Sequence, residues 1–172
     1  MPTFIKAGFW KELCNPCTGY RDWLNLDKLI ESKINSAGSD VVPFTVEGGT
    51  IGGTQPTFDG PPLFSGNYIQ IGKLVHFEIQ VLFTNITSFG TGQYYVKLPF
   101  PAKYAYLLRD GCLHDFSTSR QYGIAGHVDA NSDILTLWYV ASNGRDEPFE
   151  HDAPVTLETV DKFHIAGTYI DN

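Results

Sequence analysis

The densest group of acidic side chains lies at positions 146–152, and carboxylates at such close spacing could do chemistry. Paired carboxylates cleave glycosidic bonds when a rigid scaffold holds them at a fixed separation, and oxygen-rich loops bind calcium. The stretch follows Ser142-Asn143-Gly144, which predicts that it lies on a loop. A solvated acidic loop is therefore the favoured interpretation. The alternative is a polysaccharide hydrolase that uses Asp146, Glu150 or His151.

Two of the three cysteines, Cys14 and Cys17, have the spacing of half a zinc site or of a redox pair. A closed zinc site needs four ligands. The third cysteine, Cys112, is followed by His114 on a predicted strand, whose alternation would place both side chains on one face and so allow a shared site. A turn at Asn15-Pro16 with two small thiols is favoured. We therefore predict no metal and no other cofactor.

Five histidines offer a general base for nucleophilic catalysis, which needs a Ser or Cys beside a His oriented by a carboxylate. The sequence contains no Gly-x-Ser-x-Gly nucleophile elbow. Histidines on strands that face solvent or a subunit interface are the favoured interpretation, so we predict no catalytic residues and no enzymatic activity. The histidines are His76, His114, His127, His151 and His164.

Glycine-rich and aromatic stretches are the remaining candidates for binding. The glycines at 48–53 fit no phosphate-loop spacing and are not followed by Lys-Ser or Lys-Thr, so they predict a hinge or hairpin. Most aromatic residues are expected in the core or at subunit contacts, and any at exposed loop tips would form a stacking platform for sugars. The aromatic residues considered are Tyr94, Tyr95, Tyr104, Tyr106, Tyr122, Trp138, Tyr139 and Tyr169.

Composition limits the classes of protein that fit. The chain has 172 residues, 42% of them apolar, which suits one domain with a substantial core. The formal charge of the chain is -7, so it lacks the positive field of a nucleic-acid binder, and no nucleic-acid partner is predicted. No apolar run approaches the roughly 18 residues of a membrane span, and the first residues lack a secretory signal. Neither membrane insertion nor export by that route is expected.

The first 37 residues are rich in aromatic side chains and end in a helical pattern. Leu26, Leu29, Ile30 and Ile34 form one apolar stripe of a short helix, with Asn25 as its N-cap. A helix of about ten residues is marginal in water, so the stripe needs a partner surface. We predict that this segment anchors the chain to another protein. The predicted anchoring residues are Phe4, Phe9, Trp10, Trp23, Leu26, Leu29, Ile30 and Ile34.

The rest of the chain has the pattern of strands. Val75 to Phe83 alternates apolar and polar residues, which predicts a half-buried strand. About eight short strands bounded by turn residues predict a mainly β fold: an antiparallel β-sandwich or jelly-roll head with a short N-terminal helical anchor segment. The predicted organisation is an anchor at 1–40, a Gly/Pro-rich connector with short strands at 41–60 and the head at 61–172. The other strands are predicted at 68–71, 94–98, 104–113, 122–128, 134–140, 155–157 and 163–170.

Several stretches together resemble tailed-bacteriophage virion proteins. The N-terminal Phe4-Ile5-Lys6-Ala7-Gly8-Phe9-Trp10-Lys11 is similar to the start of fibre-like and tail-associated proteins. The run Gly66-Asn67-Tyr68-Ile69-Gln70-Ile71-Gly72-Lys73-Leu74-Val75-His76-Phe77, the ending Leu98-Pro99-Phe100-Pro101-Ala102 and the closing Phe163-His164-Ile165-Ala166-Gly167-Thr168-Tyr169 resemble β-rich fibre heads. The resemblance implies a homotrimeric knob on a segment that docks onto the virion.

The expected function is therefore that of a virion structural protein, a short trimeric tail fibre or adhesin-like component. Its expected partners are copies of itself, other virion proteins through residues 1–37, and host-surface glycans as a further ligand. The sequence has neither heptads nor collagen-like triplets, which favours a short fibre over one with a long shaft. A capsid decoration protein, a stand-alone carbohydrate-binding β-sandwich and a polysaccharide hydrolase remain as alternatives.

Overall fold

The computed structural model describes residues 40–172, which form one compact unit. The predicted helical stripe, all eight predicted anchoring residues and the pair Cys14 and Cys17 lie outside the described residues. The described part is mainly β, which confirms the predicted fold class. None of its elements is a helix of the length and apolar character needed to cross a bilayer.

Twelve strands are formed by residues 40–172, and most of them match the predicted positions. They are β1 (Val42–Phe44), β2 (Gly48–Ile51), β3 (Thr57–Phe58), β4 (Leu63–Ile71), β5 (Leu74–Leu82), β6 (Ile86–Ser88), β7 (Gln93–Lys97), β8 (Tyr106–Asp115), β9 (Arg120–Val128), β10 (Ile134–Val140), β11 (Asp146–Pro148) and β12 (Lys162–Ile170).

Ten of these strands form one antiparallel sheet in the order β1-β4-β5-β12-β8-β9-β10-β7-β2, with β11 also paired to β10. The first and last strands of this order, β1 and β2, are consecutive in the chain and are separated only by residues 45–47. The sheet must therefore curl until its two edges come together. A second sheet contains only β3 and β6.

The longest regular hairpin joins β4 to β5 by a Gly-Lys turn at residues 72–73. Ile71 pairs with Leu74, and Gly72 between them has a φ of 64°, which glycine adopts without the strain of a Cβ atom. Along β5, Val75, Phe77 and Ile79 are fully buried and the residues between them face outward. The alternation in the sequence is thus the alternation between core and surface.

The core lies between the two halves of the curled sheet. Phe83, just after β5, lies 6.4 Å from the ring of Tyr94 in β7 and 6.0 Å from that of Phe163 in β12. Phe149 is fully buried and packs on Tyr94 and Phe163 at centroid distances of 5.4 and 5.9 Å. Strands distant in the sheet order therefore share one apolar interior, as in a sandwich.

Two stretches differ in detail from the sequence expectations. Residues 41–60, expected as a connector with short strands, contribute β1 and β2, the edge strands of the main sheet. Residues 155–157, expected as a strand, lie in a loop. The Leu157 N–H donates to the carbonyl oxygen of His151 at 2.8 Å, so this backbone is engaged in a local turn and not in a ladder.

Two buried aspartates fix the loops at one end of the sheet. Asp115 accepts hydrogen bonds from the hydroxyls of Ser117 and Thr118 and from the Thr118 N–H. Asp161 accepts from the N–H groups of Phe116 and Glu158 at 3.0 and 2.8 Å. The Phe116 N–H comes from 45 positions away in the chain, so the sequence gives no sign of its contact with Asp161.

Candidate binding groove

An open groove of about 340 Å³ lies where the two edges of the sheet come together. β1 and the following residues form one side, with Pro43, Phe44 and Glu47, and Tyr68 of β4 is adjacent. The end of β7 contributes Lys97, and the loop after it supplies a Leu-Pro-Phe sequence at positions 98–100. The groove thus depends on the curling of the sheet, because its residues come from opposite ends of the strand order.

The apolar part of the groove is a row of three aromatic rings in contact. Tyr68 lies between the other two rings, with its centroid 6.0 Å from that of Phe44 and 5.1 Å from that of Phe100. Both pairs are edge-to-face, the arrangement that the ring quadrupoles favour. All three rings are half-buried, so each also keeps part of its surface in the groove.

A glycine makes room for one of these rings. Gly66 of β4 pairs with Phe44 of β1, and a Cβ atom at Gly66 would come within 2.5 Å of the Phe44 ring and of a Val46 methyl. No ordinary side chain fits at this distance without displacing Phe44. The position of the ring therefore depends on the absence of a side chain at residue 66.

The polar part of the groove is formed by Glu47, Lys97 and Asp133. The Lys97 ammonium donates to Glu47 Oε2 at 2.6 Å. This hydrogen bond, with the charges of Glu47 and Asp133, raises the pKa of Lys97, so its ammonium is charged at every physiological pH. Within residues 40–172, the groove is lined by two carboxylates and one cation, which give it a net negative charge.

The backbone around the groove is firmly connected to the sheet. The Lys97 N–H donates to the Glu47 carbonyl and the Leu98 N–H to the Asp133 carbonyl, both at 2.8 Å. The Phe100 N–H and carbonyl both bond to the hydroxyl of Tyr169, which is 1% exposed. Burial raises the pKa of Tyr169, so its hydroxyl stays protonated and able to donate at high pH.

The acidic stretch at 146–152 is engaged mainly in local contacts. Asp146 forms a two-armed ion pair with Arg109, with distances of 3.1 and 2.7 Å. Glu147 accepts from the Tyr139 hydroxyl at 2.8 Å, and that bond raises the pKa of Tyr139. The first three residues form β11, so the stretch is partly strand and not wholly the loop that was expected.

Four of the five histidines lie on the outward face of the main sheet: His76, His114, His127 and His164. Their partners are mostly neighbours on adjacent strands. His76 bonds to Thr168 at 2.9 Å, and His164 contacts Glu78 at 3.1 Å. The expectation of strand histidines that face outward is therefore met, and within residues 40–172 none of these four histidines is hydrogen-bonded to a Ser or Cys side chain.

Cys112 and His114 lie on the same side of β8, as alternation requires, but they do not share a ligand-binding arrangement. His114 contacts the Gln121 side chain at 3.3 Å and stacks on Phe116. Burial raises the pKa of the Cys112 thiol, which disfavours the thiolate that metals bind. Among residues 40–172, no three His, Cys, Asp or Glu side chains are grouped to bind a metal ion.

The aromatic residues considered from the sequence do not line this groove. Tyr94 and Tyr169 are buried, and Tyr106, Tyr122 and Tyr139 pack against the core. The sequence reasoning missed the groove residues as a set, because Phe44, Tyr68 and Phe100 are far apart in the chain. No local pattern in the sequence marks these three residues as neighbours.

Comparison of the chain with protein-family models, with curated proteins and with solved structures finds no match.

Proposed function

We propose that this protein is a non-enzymatic virion structural component, a short trimeric fibre or adhesin-like protein. Residues 1–37 anchor it to other virion proteins, and the β head formed by residues 40–172 is displayed. The observation that carries the proposal is that residues 40–172 enclose a complete core of their own, with Phe77, Phe149 and Tyr169 at most 1% exposed. A head that completes its core suits display on the end of a separate attachment segment.

The open groove supports a role in recognition. It combines aromatic rings with carboxylates on a backbone that is connected to the sheet on both sides. Preformed concave sites of this kind are typical of ligand binding. Of the three residues named for the hydrolase alternative, Asp146 is held in a two-armed ion pair by Arg109.

The experiment compares phage particles produced with the original chain and with a chain carrying Leu29→Asp and Ile30→Asp in the predicted apolar stripe. The proposal predicts that the variant is folded but missing from purified particles. Lys28→Asp, in the same segment but off the stripe, is the matched control and should still be incorporated. A stripe variant that is incorporated normally would refute the anchoring role of these residues.

A further inference from the structure

The groove between Phe44, Tyr68, Phe100 and Asp133 has the size and the fixed backbone of a small-molecule binding site. Its volume of about 340 Å³ is within the range of about 300–1,000 Å³ found for small-molecule sites. Its backbone is bonded to the sheet at Lys97, Leu98 and Phe100. A ligand would therefore meet a site that is already formed, and little binding energy would be lost in ordering it.

The polar atoms of the groove are mainly free acceptors. Among residues 40–172, no donor bonds to the Asp133 carboxylate, and only one oxygen of Glu47 is engaged, by Lys97. The Tyr68 hydroxyl also has no hydrogen-bond partner within the described part of the chain. These atoms suit a ligand that brings several hydroxyl donors, since each ionised carboxylate oxygen accepts hydrogen bonds.

The charges of the groove select against an anion. Among residues 40–172, the cation that lines the groove is Lys97, which is already paired with Glu47 at 2.6 Å, and Asp133 adds a second negative charge. An acidic sugar or a phosphate would have to approach two carboxylates, and the described part of the chain offers no unpaired cation in the groove lining to neutralise it. A neutral ligand avoids this repulsion.

The apolar side chains of the groove suit a neutral, hydroxyl-bearing ligand that also has an apolar face. Phe44, Tyr68 and Phe100 present ring surface, and Pro43 and Pro99 add apolar edges. A pyranose ring has one or two faces of C–H groups and a rim of hydroxyls. The apolar faces match the aromatic row, while the rim matches the carboxylates and the Tyr68 hydroxyl.

From this match we infer that the groove binds a neutral saccharide of one or two hexose units. The inference deepens the proposed function and rests on it for its biological meaning, because it names the site and ligand class by which a displayed head would bind a host-surface glycan. The Asp133 and Glu47 carboxylates accept from sugar hydroxyls, and the aromatic row contacts the C–H face.

The experiment uses the full chain and saturation-transfer NMR followed by titration calorimetry. The probes are neutral saccharides (glucose, galactose, mannose, N-acetylglucosamine and their disaccharides), with sialic acid and glucuronic acid as anionic comparisons. At least one neutral saccharide should bind with a millimolar or tighter Kd. Tyr68→Phe and Asp133→Asn should each weaken that binding about tenfold, the effect of losing one hydrogen bond with its partner left in place.

Both variants keep the shape of the original side chain, and thermal unfolding of each confirms that the head is intact. Asp152→Asn, which changes an exposed carboxylate outside the groove, is the control and should bind as the original does. The inference is overturned if no neutral saccharide binds, if an anionic one binds better, or if neither groove variant weakens binding. Capture of a proline-rich peptide in place of sugars, the other class of ligand that aromatic grooves bind, would also overturn it.

The outcomes separate this inference from the proposed function. A chain that is trimeric and incorporated into particles but binds no sugar would refute the groove assignment alone. A chain that binds sugar through Tyr68 and Asp133 but is monomeric and absent from particles would refute the virion role and leave the saccharide site in place.

Discussion

The hydroxyl of Tyr169 bonds to both backbone polar groups of Phe100, donating to its carbonyl oxygen at 2.9 Å and accepting from its N–H at 3.2 Å. Tyr169 belongs to β12 in the middle of the sheet, whereas Phe100 lies in the loop after β7 at the groove. One buried side chain thus connects the centre of the sheet to the groove. The Phe100 ring in turn packs on Tyr68.

Tyr169→Phe should therefore destabilise the head and loosen the groove. The substitution leaves the aromatic ring in the core but removes the Tyr169 hydroxyl. The N–H and the carbonyl oxygen of Phe100 therefore both lose their hydrogen-bond partner. Leaving buried polar groups without partners costs about 1–3 kcal/mol in the free energy of unfolding. Urea unfolding measures this change. Tyr104→Phe, at a side chain that is 55% exposed, is the control and should change the free energy by less than about 0.5 kcal/mol.

Gly66→Ala should displace Phe44 from the groove. The added methyl would meet the Phe44 ring and Val46 at 2.5 Å, and overpacking of this kind costs about 1–3 kcal/mol. Gly123→Ala is the matched control, because a Cβ atom there has no neighbour within 4 Å. Thermal unfolding should show a clear decrease in Tm for the first variant and none for the second. Equal Tm values would contradict the close packing of β1 on β4.

Asp115 should make the stability of the head depend on acid pH. Hydrogen bonds from the Thr118 and Ser117 hydroxyls lower the pKa of Asp115 below its ordinary value of about 3.9. A carboxyl with a lowered pKa in the folded state contributes stability that is fully present above the unfolded pKa and is lost as pH falls through the folded pKa. The contribution should therefore disappear below about pH 4.

The measurement is the free energy of unfolding of the original chain and of Asp115→Asn between pH 7 and pH 2. The variant should be less stable at pH 7, and the difference should shrink as pH falls below about 4. Asp110→Asn, at an exposed carboxylate that forms no hydrogen bond or ion pair within residues 40–172, is the control and should follow the original at all pH values. If the difference in stability between Asp115→Asn and the original stays constant down to pH 2, the charge of the Asp115 carboxylate does not stabilise the folded head.

Phe149→Ala should be the most damaging of these changes. Phe149 is fully buried between Tyr94 and Phe163, and truncating a buried phenylalanine costs about 3–5 kcal/mol. Phe116→Ala removes a ring that is 53% exposed and should cost much less. Chemical unfolding of both variants tests the assignment of the core. Similar costs for the two would mean that Phe149 is not at the centre of the packing.

Much of the fold could be predicted because a half-buried strand shows an alternation of apolar and polar residues in the sequence. Val75, Phe77 and Ile79 alternate with polar residues, and the strand predicted from this alternation coincides with β5. The short strands β1 and β2 could not be placed in the main sheet this way. Their pairing with β4 and β7 depends on how the whole sheet curls, and the curl cannot be predicted from a short stretch of sequence.

The groove could not be predicted for the same reason. Phe44, Tyr68 and Asp133 are brought together by a contact between the two edges of the sheet, and nothing in their spacing of 24 and 65 positions signals it. The aromatic side chains that drew attention in the sequence, such as Tyr94 and Tyr169, are core residues. A conspicuous aromatic residue in a β-rich chain is more often part of the interior than of a site.

The mass of the native protein in solution tests the proposed function most directly. A fibre-like component should contain three copies of the chain, so the complex should have three times the chain mass of 19.1 kDa. Multi-angle light scattering or native mass spectrometry gives this value over a range of concentrations. A mass of three chains that persists on dilution is the predicted result, and a stable, well-folded single chain at every concentration would contradict it.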